Sequence, residues 1–205
     1  VNPFGVILAG GRATRMGGGD KALREVAGRT LLARVEERLS TQVVATAINA
    51  NGDPGRFTTF GLPVVADGVA GYPGPLAGVL AGMDWAASYD ATHILTVAAD
   101  TPFFPDNLGR RLIEAVEAGA PIALAATPDP ERGLSRHPTF GLWTIALRED
   151  LRAALVGGIR KVVAWTDRHD AALVEFPAEP FDPFFNVNTP DDIARAERIV
   201  AEHGL

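Results

Sequence analysis

The sequence predicts an α/β protein in which a mostly parallel sheet lies between two layers of helices. Three observations carry that expectation. Two runs, Phe4-Gly5-Val6-Ile7-Leu8-Ala9 and His93-Ile94-Leu95-Thr96-Val97-Ala98, are almost continuously apolar, as parallel strands covered on both faces should be. Segments with helical spacing alternate with such runs, and turn residues gather where each strand should end. The 205 residues, 47% hydrophobic and 21% charged, suffice for one buried core and contain no internal repeat, so a single domain spanning 1–205 is expected.

Taken in order, the first strand runs into Leu8-Ala9-Gly10-Gly11-Arg12-Ala13-Thr14-Arg15-Met16-Gly17-Gly18-Gly19-Asp20-Lys21, a stretch with five glycines and the cations Arg12, Arg15 and Lys21. A glycine-rich loop at the carboxyl end of a buried strand brings backbone N–H groups to an anion without a Cβ in the way. We read it as a phosphate cradle. A helix follows in which Thr30 is the N-cap and Leu31, Leu32, Val35 and Leu39 form one stripe. Residues 43–48 and 62–66 read as strands that end at Asn49-Ala50-Asn51-Gly52 and at Asp67. Pro75 opens the next helix after a Gly/Pro-rich loop, and Gly78 and Gly82 share one of its faces, suited to close approach of either another element or a ligand.

The strand that starts at His93 leads to Asp100-Thr101-Pro102. In open α/β sheets ligands bind beyond the carboxyl ends of strands, so Asp100 is either a site carboxylate near the glycine loop or a turn residue. Residues 106–119 read as a helix with Leu108, Leu112, Ile113 and Val116 inward, and 121–126 as a strand. Pro128, Pro130, Gly133 and Pro138 then mark a loop, followed by a strand at 139–143 and a helix at 148–156. Gly157-Gly158-Ile159-Arg160-Lys161 opens a further helix whose glycines and cations suit an anion. A strand at 172–176 and a connector at 177–183 lead to Phe184-Phe185-Asn186-Val187-Asn188-Thr189-Pro190. Thr189 there caps a last helix with Ile193, Ala196, Ile199 and Val200 inward. Asn186 and Asn188, two apart on an extended segment, point the same way, either at a shared ligand or as a turn pair before the helix.

Composition narrows the chemistry. With no cysteine, disulfides, thiol nucleophiles and cysteine-ligated metals are excluded. A net charge of -6 argues against nucleic acid as a partner, and no apolar run is long enough to span a membrane. Val1-Asn2-Pro3 shows no leader pattern, so a cytoplasmic protein is expected. Neither G-x-x-x-x-G-K-[ST] nor G-x-G-x-x-G is present, which removes support for P-loop and dinucleotide-binding readings. A glycine loop with Arg15 and Lys21, together with strand-end carboxylates at Asp67 and Asp100, suits nucleotidyl transfer instead. Cations hold a triphosphate, Mg²⁺ at Asp100 bridges it, and an acceptor oxygen attacks the α-phosphorus. His137 has little to do as a general base toward an already ionised phosphate, and a binding or structural role is expected of it.

Five segments in order resemble the signature of the molybdenum cofactor guanylyltransferases: Leu8 to Lys21, Tyr72-Pro73-Gly74-Pro75-Leu76-Ala77-Gly78, Asp100-Thr101-Pro102, His137-Pro138-Thr139 and Phe185-Asn186-Val187-Asn188-Thr189-Pro190. The resemblance implies a three-layer Rossmann-like nucleotidyltransferase fold whose N-terminal part binds GTP and whose C-terminal part binds molybdopterin. It implies transfer of GMP to the terminal phosphate of molybdenum-molybdopterin, with release of pyrophosphate. Leu8, Ala9 and Gly10 match the guanine-contacting edge, and Gly11, Lys21, Asn49 and Asp67 complete the GTP site. Arg15 and Gly18 match groups that position the triphosphate, Asp100 the Mg²⁺ ligand, and Asn186 and Asn188 the acceptor side. Molybdenum-insertion proteins and molybdoenzyme chaperones are the partners so implied. The alternatives are a CTP-dependent enzyme of the same kind, a related enzyme with another phosphorylated acceptor, and a non-catalytic GTP-binding delivery protein.

Overall fold

Strand β1 (Phe4–Leu8) has no solvent-facing side, because Val6, Ile7 and Leu8 alternate between two apolar layers. The computed structural model, which describes residues 1–10, 20–69, 71 and 74–205, builds outward from it. A short ribbon pairs β2 (Glu25–Val26) with β3 (Arg29–Thr30), and helix α1 (Leu31–Ser40) follows, the Thr30 side chain accepting from Ala33 N–H at 3.1 Å. Next come β4 (Thr46–Asn49), β5 (Val64–Val65), α2 (Pro75–Ala87), β6 (His93–Ala98) and α3 (Leu108–Glu117). The second half adds β7 (Ile122–Asp129), β8 (Gly133–Thr144), α4 (Arg148–Val156), α5 (Val162–Thr166), β9 (Ala172–Glu175) and α6 (Pro190–His203).

The central sheet runs β5-β4-β1-β6-β8-β7-β9, with β8 antiparallel to both neighbours and every other pair parallel. This is the expected mostly parallel sheet between helical layers. On one face Ile7, Ile48, Leu95 and Val97 pack with Leu32, Val35 and Leu39 of α1 and with Leu108 and Leu112 of α3. On the other, Val6, Leu8, Ile94 and Trp143 pack with Val79, Leu80 and Met83 of α2, Leu151 of α4 and Trp165 of α5. A smaller cluster joins Val26, Leu31, Phe103 and Val187 to Ala196 and Ile199 of α6. Thr189 and Asp192 cap α6 reciprocally.

Gly78 and Gly82 serve packing. A Cβ on Gly82 would lie 2.6 Å from Val6 Cγ2, and one on Gly78 would overlap the Asn49 amide, so α2 can rest on β1 and β4 only because both positions are bare.

Two expectations are corrected. Residues 128–138 are not a loop: β7 continues to Asp129 and β8 begins at Gly133, so the prolines lie inside a hairpin. Register jumps from Leu124↔Gly141 to Ala125↔His137, and Pro138 falls in that irregularity, where no ladder N–H is required of it. Pro128 lies beyond Ala126↔Glu175, the last pairing with β9. The buried Thr96 hydroxyl holds the irregular stretch by donating to Thr139 C=O at 2.9 Å, and accepts from Trp143 Nε1. The glycines at 157–158, for their part, do not open a helix. Gly157 N–H bonds Ala153 C=O and Gly158, at φ +96°, bonds Leu155 C=O, so both terminate α4. The α5 that follows is a single short turn.

His137, on β8, is held as a packing residue. Its ring stacks on Phe184 at 4.3 Å and its Nε2 lies 2.8 Å from Thr127 Oγ1. Burial lowers its pKa from the ordinary 6.5, against a smaller opposing pull from Asp182.

Gly82→Ala should cost about 1–3 kcal/mol through overpacking, read as a lower urea midpoint at unchanged slope. His137 protonates less readily in the folded than in the unfolded chain. Its contribution is therefore complete above its ordinary pKa and is lost as pH falls below 6.5 towards the depressed value. Denaturation of His137→Gln at successive pH values should show a shallower loss of stability over that window than the parent protein.

Candidate active site

The carboxyl ends of β5, β4, β1 and β6 lie side by side, and the site residues stand on them in that order. Ala9 N–H donates to Asn49 C=O at 2.9 Å and Ala99 N–H to Leu8 C=O at 3.1 Å. Leu8 and Ala9 are thus clamped between β4 and β6 before the chain passes to the exposed Gly10. Gly11, Arg12, Arg15, Gly18, Tyr72 and Pro73 lie outside the described residues.

On the β4–β5 side, Asn49 is buried and its Nδ2 donates to Asp67 Oδ1 at 2.9 Å. Asn51 Nδ2 donates to Asp67 Oδ2 at 2.7 Å, while Asp67 N–H returns a bond to Asn51 Oδ1 at 2.9 Å. Both carboxylate oxygens are therefore oriented by neutral amides. Asn49 and Asp67 meet as expected. Asn51 was not assigned from the sequence, although its period-two spacing from Asn49 puts both side chains on one side of the chain.

On the β1–β6 side, Lys21 and Asp100 form an ion pair, Nζ to Oδ2 at 2.5 Å, each side chain about four-fifths buried (19% and 23% exposed). Lys21 Nζ also donates to Asn188 Oδ1. The fully buried Thr101 donates its hydroxyl to Asn186 Oδ1 at 2.7 Å. Val187 between the two asparagines is buried, and its N–H bonds Asp100 C=O at 2.8 Å. The alternation Asn-Val-Asn thus sends one apolar residue into the α6 cluster and two amides to the Asp100 turn. Capping of α6 falls to Thr189 and Asp192 instead. Asp100 stands at the end of β6 beside Lys21 and Asn188, and Thr101 links it to Asn186 by a contact 85 residues away in sequence, which no local pattern announces.

The donors around Asp100 are hard oxygens: its carboxylate and the Asn186 and Asn188 amide carbonyls. Among the described residues no three His, Cys, Asp or Glu side chains converge. Such a set cannot cage a cation alone, but fits Mg²⁺, which takes one or two carboxylates and completes its shell with substrate phosphates and water. Among the described residues no helix is long and apolar enough to cross a membrane.

Residues 5–172 match the model of the MobA-like NTP transferase domain. The molybdenum cofactor guanylyltransferase of Rhodopseudomonas palustris (strain BisB5) is 57% identical over 95% of this chain and 92% of its own length. That of Bradyrhizobium sp. (strain ORS 278) is 53% identical over 96% and 92%. The crystal structure of molybdopterin-guanine dinucleotide biosynthesis protein A from Archaeoglobus fulgidus shares the fold, with a TM-score of 0.73 at 24% identity over 97% of this chain and 99% of that one. The chain belongs to the molybdenum cofactor guanylyltransferase family, whose members are nucleotidyltransferases, and it carries the MobA-like NTP transferase domain.

Proposed function

We propose that the protein transfers GMP from GTP to the terminal phosphate of molybdenum-molybdopterin. An oxygen of that phosphate attacks the α-phosphorus, the bond from the α-phosphorus to the oxygen bridging it to the β-phosphorus breaks, and pyrophosphate leaves. The observation that carries this reading is the Lys21–Asp100–Asn188 junction, where the end of the glycine-rich stretch, the end of β6 and the C-terminal segment converge. The similarity to molybdenum cofactor guanylyltransferases supports the choice of guanine and of pterin.

In this arrangement Lys21 and Asp100 neutralise each other. When the triphosphate enters, Lys21 takes the phosphate oxygens and leaves the Asp100 carboxylate free, the group that would hold Mg²⁺. Bound there, Mg²⁺ would supply charge to offset that on the transferring and leaving phosphates. Leu8, Ala9 and Gly10 form the edge that meets guanine, and Gly11, Asn49 and Asp67 complete the nucleotide side. Arg15 and Gly18 position the triphosphate. Asn186 and Asn188, anchored through Val187, face the incoming pterin phosphate, so the N-terminal part serves GTP and the C-terminal part the acceptor. No covalent protein nucleophile is required, since the acceptor phosphate is already ionised. A cytoplasmic setting fits the cysteine-free chain. Molybdenum-insertion proteins and molybdoenzyme chaperones are the partners that would deliver the pterin and receive the product.

Incubation with GTP, Mg²⁺ and molybdenum-loaded pterin should yield the guanine dinucleotide by mass, and CTP should give no comparable product; preferential use of CTP would overturn the assignment. Asp100→Asn should lower turnover by about 10²-fold or more with an unchanged melting temperature, the scale of losing a metal-held charge at a transition state. For Lys21→Ala, calorimetric titration should show GTP affinity falling by roughly tenfold or more, as loss of a charge-assisted phosphate contact implies.

A further inference from the structure

Beside Lys21 lies a second charge pair that the reaction does not use. Asp20 is 10% exposed in its side chain. Its Oδ1 accepts from Ala22 N–H at 3.2 Å, capping the turn that holds Lys21. Its Oδ2 is buried, makes no hydrogen bond among the described residues, and faces Arg56 Nε at 3.0 Å. Arg56 reaches it from the segment after β4: its guanidinium lies over Phe57 at 4.8 Å and its Nη2 donates to Asn51 C=O at 2.7 Å. A buried carboxylate one residue from a phosphate-binding lysine opposes any polyphosphate placed there unless a cation answers it.

We propose that Arg56 is a positioning residue for the nucleotide's phosphates, acting through Asp20: it neutralises the buried carboxylate next to Lys21 and so keeps the phosphate-binding end positive. The inference rests on the GTP reading above. The β4–β5 side then does two things at once. Its amides orient Asp67, and its one arginine reaches across to the end of the glycine-rich stretch.

The consequence is charge-specific. An unanswered charge within several ångströms of a polyphosphate, at an effective dielectric of about 20, is enough to move Kd by about tenfold. Arg56→Ala should therefore raise the Kd for GTP by about tenfold and that for GMP by less than about threefold, because GMP brings less charge to the site. Arg56→Lys should bind GTP nearly as the parent protein does. The double variant Asp20→Asn with Arg56→Ala should recover GTP affinity to within about threefold of the parent, since asparagine keeps the Ala22 cap and removes the charge. Melting temperatures of all variants are measured alongside, so that a folding defect is seen directly.

Parent-like GTP binding by Arg56→Ala overturns the proposal. So does a proportionate loss of GTP and GMP, which would place the effect in the Asn51 contact. Failure of the double variant, folded, to recover GTP affinity does the same. If the parent protein binds no GTP, or Lys21→Ala binds it unchanged, the nucleotide reading falls and this inference with it. Parent-like binding with a Lys21 effect but no Arg56 effect removes this inference alone.

Discussion

Everything at the site follows from the fact that β1 has no exposed face. A five-residue strand covered on both sides can bond its backbone only to flanking strands, and β4 and β6 supply them, both parallel and with matched register. That pairing aligns three carboxyl ends and places the Gly10 exit between Asn49 and Asp100. Covering β1 tightly is also what demands bare positions on α2. Gly82 sits over Val6 and Gly78 over the Asn49 amide, so the packing that stabilises the sheet also presses on a residue that orients Asp67. Stability and site geometry are therefore joined through one helix face.

The charges are arranged in pairs that differ in kind. Asp67 is held by neutral amides, whereas Asp100 and Asp20 each face a cation. A largely buried carboxylate without a partner is costly, so each of these must be matched in the absence of substrate. At Asp100 the match is a lysine on a long flexible stem, which on the proposed reading exchanges its partner for a phosphate. At Asp20 it is an arginine fixed by a stacked ring and a backbone carbonyl, which has no such freedom. On that reading the first pair opens when nucleotide binds and the second stays closed.

How much of this could be read from residues alone depends on the range of the interaction. Thr30, Pro75 and Thr189 act on their own helices, and α1, α2 and α6 begin where local chemistry says they should. The buried strands β1 and β6 were equally legible from their unbroken apolar runs. The β7–β8 hairpin was hidden by its prolines, whose usual meaning as punctuation is cancelled by a register irregularity and by the early end of β9. Asn49, Asp67, Asp100 and the Asn186–Asn188 pair stand at strand ends or in a recognisable segment, and the structure joins them into two groups. Asn51, Thr101 and Arg56 act only through partners distant in sequence, and no local pattern separates such residues from ordinary turn and surface residues.

The C-terminal segment carries the last step. The match to the MobA-like domain ends at residue 172, at the start of β9, yet Asn186 and Asn188 lie beyond it. Their placement needs no sheet. Val187 is buried against Val26, Phe103 and α6, and its backbone bond to Asp100 fixes the register of the two flanking amides. A single apolar residue is thus the anchor by which a segment outside the nucleotidyltransferase core reaches the core's carboxylate and lysine. On the proposed reading, this separates the two substrates: the strand ends of the sheet serve GTP, while an added segment, exchangeable without disturbing β1, serves the acceptor. A common core could take different phosphorylated acceptors in this way, since only the anchored segment and its neighbours would need to change.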